Sequence, residues 1–224
     1  MYHFHIADDH PLFCAALTQV ITNNFSNAKI TQSHDLNSTL QELEDQEDID
    51  LLLLDLHMPG SQDLFGLVNI REQFPSIPVV VVSASEEQAM VNRAIGHGAL
   101  GYITKSLSQE EMRNAIKNIL DGDRWIPEKY RSALRPISDE ERSLATKVAS
   151  LTPQQYRVLC FVKEGWLNKQ IGFEIGVTEA TVKAHITSIF RKLGVTNRTQ
   201  AVIELNKIAL HPEAQEAPSD ASPG

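Results

Sequence analysis

Apolar residues follow two different rhythms along the chain, and the change comes near residue 122. In the first part, short unbroken apolar blocks alternate with segments of helical period. Leu51-Leu52-Leu53-Leu54 runs straight into Asp55 and then Met58-Pro59-Gly60, and Val79-Val80-Val81-Val82 runs into Ser83. Blocks of this length between turn residues predict strands buried on both faces, as in a parallel sheet. Tyr2 to Ala7, Ala28 to Ser33 and Leu100 to Thr104 predict three more strands. Between them, helical spacing is carried by Leu12, Ala16, Leu17, Val20 and Ile21, then by Leu36, Leu40 and Leu43. A helix ending near Phe74 and another over Glu86 to Ile95 follow. The last has Met112, Ala115, Ile116, Ile119 and Leu120 on one face, opened by the capping box Ser108-Gln109-Glu110-Glu111. Five strands alternating with five helices predict an α/β doubly wound five-stranded parallel sheet over residues 1–122.

Beyond it the pattern is helical only. Residues 123–150 mix charges of both signs with Pro127 and Pro136 and carry a weak helical period from Asp139 to Ala149, which predicts a linker with one helix. Thr152-Pro153-Gln154-Gln155 is a helix start, with a Thr cap, Pro at the first helical position and Gln three after the cap. That helix stops at Gly165. A short helix over Asn168 to Ile175 then turns at Gly176-Val177 into a longer one, capped by Thr178 and ended by Gly194. Asn197-Arg198-Thr199 opens a last helix to about Leu210. Residues 151–210 are thus expected to form a small all-α helix-turn-helix domain, with 211–224 a disordered Pro-, Ala-, Ser- and acid-rich tail.

Charge divides the chain at the same place. Residues 1–122 carry 6 Lys/Arg against 17 Asp/Glu, a net of −11, whereas residues 151–210 carry 8 against 4, a net of +4. This asymmetry gives the halves different tasks, cation or phosphate chemistry in the first and a polyanion in the second. Cys14 and Cys160 are far apart and flanked by apolar residues, which predicts buried thiols rather than a disulfide, and no Cys/His spacing fits zinc. The start of the chain lacks a secretory leader and no stretch has the length of a membrane span, so the expected location is cytoplasmic, with no membrane partner.

The candidate chemistry lies at strand ends. Asp8-Asp9 follow the first strand, Asp55 the third, Ser83 the fourth and Lys105 the fifth, and in such a sheet the carboxyl edge is where ligands bind. An acid after a strand can simply start a turn, and Asp8 or Asp9 can simply cap the helix that follows. Three carboxylates in one place, however, need a cation. Hard oxygen ligands suit Mg2+, and a carboxylate beside Mg2+ and Lys points to phosphoryl chemistry. In the second half Lys183, Thr187 and Arg191 fall on one polar stripe, with Val182, Ile186, Ile189 and Leu193 on the packing side. That is the layout of a helix reading DNA.

The motifs Asp8-Asp9, Asp55-x-x-Met58-Pro59-Gly60, Ser83-Ala84 and Tyr102-x-x-Lys105 resemble those of the receiver domain of two-component response regulators, which has a flavodoxin-like sheet. The resemblance implies that Asp55 accepts a phosphoryl group from a histidine kinase, and that Asp8, Asp9, Asp55 and the backbone carbonyl of His57 hold Mg2+. It further implies that Lys105 pairs with phosphoryl oxygens, that Ser83 follows them, and that Tyr102 switches rotamer with Ser83. Ser83 stands where Thr is commoner, and Ser61 to Gly66 is longer than the usual Pro-Gly turn. Thr181-Val182-Lys183-x-His185, Arg191-Lys192-Leu193-Gly194-Val195 and Arg198-Thr199 resemble the LuxR-type helix-turn-helix. Together the two make the chain similar to NarL/FixJ-family transcription factors. By that likeness Lys183, Ala184 and Thr187 face base edges, while Thr178, Thr181, Lys192 and Arg198 hold phosphates. Gln154, Gln155 and Arg157 stand where the family usually has Arg, Glu and Glu. The last helix, Arg198 to Leu210 with Val202, Ile203, Leu205 and Ile208, either pairs two copies on DNA or completes the small core.

The implied function is a phosphorylation-controlled regulator that binds paired half-sites as a homodimer and is not an enzyme. Two alternatives stand beside it. One is a DNA-binding regulator indifferent to phosphorylation. The other is an aspartyl-phosphate phosphatase, weakened by His57 standing where such enzymes place a second Asp.

Overall fold

In a computed structural model, residues 1–208 other than Glu47, Gln62 and Ala133 are described; the predicted tail and Leu210 lie outside them. The first half runs β1 (His3–Ala7), α1 (Pro11–Asn24), β2 (Lys29–Ser33), α2 (Leu36–Asp45), β3 (Leu51–Asp55), α3 (Phe65–Gln73), β4 (Val79–Ser83), α4 (Gln88–Gly96), β5 (Gly101–Thr104) and α5 (Gln109–Leu120). All strand pairs are parallel, in the order β2-β1-β3-β4-β5. The unbroken runs are buried because each strand serves two layers. Leu52, Leu54, Val79 and Val81 pack with Leu36, Leu67, Ile70 and Val91 on one face, whereas Leu51, Leu53, Val80 and Val82 pack with Leu17, Ile21, Ile116 and Ile119 on the other. With β1 and β3 adjacent and their connections running to opposite sides, the order reverses between them, which opens a crevice beyond their carboxyl ends.

After α5 the chain does not leave the sheet. Trp125 bridges to Gly101, accepting from the Tyr102 amide at 2.9 Å and donating to the Leu100 carbonyl at 3.2 Å. A four-residue helix α6 (Glu128–Arg131) follows, too short to show in the apolar pattern, and then α7 (Asp139–Ala149), capped by Ser138. The remaining helices are α8 (Pro153–Lys163), α9 (Asn168–Ile175), α10 (Glu179–Leu193) and α11 (Arg198–Ile208). Gly176 ends α9 at φ 72°, and Gly172 lies so close to the turn that a Cβ there would sit 2.7 Å from the Val177 carbonyl oxygen. Thr178 caps α10 through the Thr181 amide.

The two halves meet across α3, α7 and α8. The rings of Phe65 and Tyr156 stack at 3.9 Å with 5° between their planes, and Asn69 Nδ2 donates to the Ala149 carbonyl at 2.9 Å. Arg93 and Glu141 pair at 3.3 Å beside them. One apolar cluster runs from Leu52 and Leu54 through Phe65 and Leu144 to Val158, Ile189 and Leu193. The long Ser61 to Gly66 segment places Leu64 and Phe65 in that seam, both buried.

Candidate functional site

The crevice between β1 and β3 collects charge of both signs. Asp8 and Asp55 are almost fully buried, and Lys105 Nζ lies 2.8 Å from Asp8 Oδ2 and 2.8 Å from Asp55 Oδ2. Burial alone would push the Lys105 ammonium down. The hydrogen bonds to Asp55 and Asp8 and their charges outweigh it and hold the pKa above the ordinary lysine value. The ammonium also sits 4.9 Å from the centre of the Phe13 ring, which shields it from water. The remaining Asp55 oxygen, Oδ1, accepts from the His57 amide at 3.2 Å, while the His57 side chain is exposed. Ser83 is fully buried at the end of β4, with its hydroxyl accepting from the Ser85 amide at 3.2 Å. Tyr102 is also fully buried and turned inward, its hydroxyl donating to the Ser85 carbonyl at 2.9 Å. Burial raises this phenol to about 12 against the opposing hydrogen bonds of Ser83 and Ser85.

One member was not foreseen. His10 occupies the cap position of α1 without capping it, and its Nδ1 reaches Asp9 Oδ1 at 2.8 Å, Asp8 Oδ1 at 3.1 Å and Asp55 Oδ2 at 3.8 Å. Its signal, a histidine directly after the acidic pair, reads equally well as an ordinary helix start before Pro11. Asp8, Asp9, His10 and Asp55 each place a ligand atom within 4.8 Å of the others. Asp8 Oδ2 and Asp9 Oδ1 are buried, with Lys105 Nζ 2.8 Å from the first and His10 Nδ1 2.8 Å from the second. Carboxylate oxygens clustered this closely fit a hard cation.

The second predicted surface is on α10. Lys183, Ala184 and Thr187 are all exposed, with Lys183 paired to Glu179 at 2.9 Å on the same helix. Val182, Ile189 and Leu193 are buried on the opposite side. Thr178 and Thr181 are exposed at the helix start, hydroxyl to hydroxyl at 2.9 Å. Lys192 and Arg198, expected on phosphates, are turned to the protein's own carbonyls. Lys192 Nζ donates to Ser150 O at 2.5 Å and to Gln155 Oε1 at 2.8 Å, and Arg198 Nη2 donates to Val162 O at 3.1 Å and Trp166 O at 2.5 Å. Gln155 also donates to Ser188 Oγ at 3.2 Å, so a neutral amide joins these helices, while Arg157 meets Glu174 at 3.8 Å. Ala201 and Leu205 of α11 are buried in the module's own core, and Ile203 is exposed.

Residues 4–117 match the response regulator receiver domain and residues 149–205 the luxR family of bacterial regulatory proteins. The chain is a NarL/FixJ-type response regulator. Among relatives of this response regulator, the glycerol metabolism activator of Pseudomonas putida is 42% identical over 213 residues, covering 93% of this chain and 96% of the relative. The nitrate/nitrite response regulator NarL of Escherichia coli K12 is 29% identical, covering 88% and 92%. In fold the regulator is similar to RcsB of Salmonella enterica serovar Typhimurium, solved bound to promoter rprA with the phosphomimetic BeF3−. The TM-score is 0.55 at 21% identity, over 93% of this chain and 100% of that one. Both matched families are regulators, and among the described residues no helix is long and apolar enough to cross a membrane.

Proposed function

We propose that the regulator takes a phosphoryl group on Asp55 from a sensor histidine kinase in the cytoplasm and that this controls how α10 engages DNA. The observation that carries the proposal is the convergence of Asp8, Asp55 and Lys105, from three strand ends, with Nζ 2.8 Å from both carboxylates. In this reading the P–N bond of the kinase phosphohistidine breaks as the bond from phosphorus to an Asp55 oxygen forms. Lys105 moves its charge from the carboxylate to the incoming phosphoryl oxygens, and the Ser83 hydroxyl donates to one of them. Asp8, Asp9, Asp55 and the His57 carbonyl would hold Mg2+, whose role when bound is to neutralise phosphoryl charge. Lys183, Ala184 and Thr187 would reach base edges, Thr178 and Thr181 would fix the backbone, and two copies would occupy paired half-sites. Lys192 and Arg198 could reach phosphates only after leaving the carbonyls they now bind. The likeness to the glycerol metabolism activator supports genes of glycerol metabolism as targets.

A second reading has its own observation. The recognition face of α10 is already exposed, so DNA binding without phosphorylation is sterically open. Binding of palindromic promoter DNA by wild type and Asp55→Asn, with and without Mg2+ and acetyl phosphate, separates the two. Donor-dependent tightening in wild type alone is the expected result. Equal binding in every condition would leave a constitutive DNA-binding regulator, and no binding at any salt concentration would refute both readings.

A further inference from the structure

We propose that two linker residues, Lys129 and Tyr130 of α6, are positioning residues for phosphoryl transfer at Asp55, acting through the backbone of the loop Ser85-Glu86; this rests on the phosphoacceptor reading above. The loop leads directly out of the site. Ser83 ends β4, and Ala84 lines the roughly 430 Å³ cavity over Asp55 together with His10, Phe13, His57 and Lys105. The next two carbonyls are each held by a tyrosine hydroxyl from a different element. Tyr102 of β5 donates to Ser85 O at 2.9 Å, and Tyr130 of the linker donates to Glu86 O at 2.6 Å.

The Glu86 side chain is fastened as well. Its carboxylate takes the Lys129 ammonium and, at 2.6 Å, the hydroxyl of Ser106, the neighbour of Lys105. Lys129 in turn lies 4.8 Å from the centre of the Tyr130 ring. Tyr130 is 5% exposed, so its ring is anchored while its hydroxyl works as a strut. The wall of the phosphoryl cavity, and with it the reach of the Ser83 hydroxyl, is therefore set partly by a residue outside the matched receiver segment of residues 4–117. A packing role for Tyr130 would need only the ring. The strut needs the hydroxyl, and the two separate in Tyr130→Phe.

Coupling of this kind runs both ways: if the linker fixes the loop, a group on Asp55 must in turn fix the linker. The test uses the full chain as wild type, Tyr130→Phe, the surface variant Lys129→Ala, and Asp55→Asn. Three quantities are measured: the maximal rate of phosphorylation by acetyl phosphate, the Mg2+ affinity by calorimetry, and hydrogen exchange of residues 124–132 with and without beryllofluoride. Loss of one hydrogen bond in the strut is expected to lower the maximal rate by about five-fold, with Mg2+ affinity unchanged. Beryllofluoride is expected to slow linker exchange in wild type and not in Asp55→Asn. Wild-type rates in both linker variants, linker exchange indifferent to beryllofluoride, or a slower rate accompanied by weakened Mg2+ binding would each overturn the proposal while Asp55 is still phosphorylated. A wild type that accepts no phosphoryl group would overturn the phosphoacceptor reading itself.

Discussion

Acid sensitivity is built into the β1–β2 edge, away from the phosphoryl site. His5 is fully buried on β1, its ring nitrogens 2.8 Å from Thr31 Oγ1 and 2.8 Å from Ser33 Oγ, and Ser33 continues to Thr39 at 2.7 Å. His3, next on the same face, reaches Asp48 at 3.0 Å, with Lys29 beyond it at 3.9 Å from Asp48. Burial, reinforced by His3, lowers His5 from 6.5 to about 4. A histidine depressed in the folded state binds its proton more readily when unfolded. Stability is therefore complete well above pH 6.5 and is lost as pH falls through the window from 6.5 toward 4. Between pH 8 and pH 5 the single site accounts for about 2 kcal/mol, because about 1.36 kcal/mol per pH unit accrues only over the lower half of that interval, below pH 6.5. The assay is urea unfolding at half-unit pH steps, comparing wild type with His5→Gln, which keeps a polar partner for the hydroxyls and cannot titrate. The variant is expected to start lower at pH 8 and to lose about 2 kcal/mol less on acidification. Parallel curves for the two proteins would refute the assignment, since the proton uptake would then belong to other groups, of which His97, also lowered to about 4, is the first to examine.

Two further substitutions probe the second half and the seam. Gly172→Ala puts a methyl 2.7 Å from the Val177 carbonyl, and the forced shift of the helix-turn-helix bend should cost about 1–3 kcal/mol; an unchanged thermal midpoint would contradict the tight fit. Tyr156→Ala removes the ring stacked on Phe65 and should cost about 3–5 kcal/mol. Limited proteolysis should then cut residues 132–138 faster, and a cutting rate equal to wild type would show that the stack does not hold the halves together.

The sheet was readable because its strands carry their burial in consecutive residues: Leu51 to Leu54 and Val79 to Val82 have no competing interpretation at that length. Caps were as legible, and Ser108, Thr152 and Thr178 all bond the amides their spacing predicts. Legibility failed where the signal is not local. Trp125 joins the sheet through backbone groups that any residue possesses, and α6 is too short to show a period. His10 looked like a helix start because its partners, Asp55 above all, are remote in sequence. Lys192 and Arg198 were placed by motif, but the direction of a long flexible side chain is set by which carbonyls tertiary packing brings near, here Ser150, Val162 and Trp166. The unusual Ser61 to Gly66 stretch was visible as a departure, and only the fold shows that it delivers Phe65 to Tyr156.

The apolar cluster that runs unbroken from β3 to α10 has a consequence for how such chains can be recombined. The halves look like interchangeable modules, each with its own family, yet neither closes its own surface. A chimera that keeps the sheet half and imports another helix-turn-helix would inherit the bare ring of Phe65 and the empty hydrogen-bond partner of Asn69. The smallest unit that can be transplanted intact therefore includes α3, α7 and the first turn of α8, and the natural cut between the modules falls inside the linker only on paper.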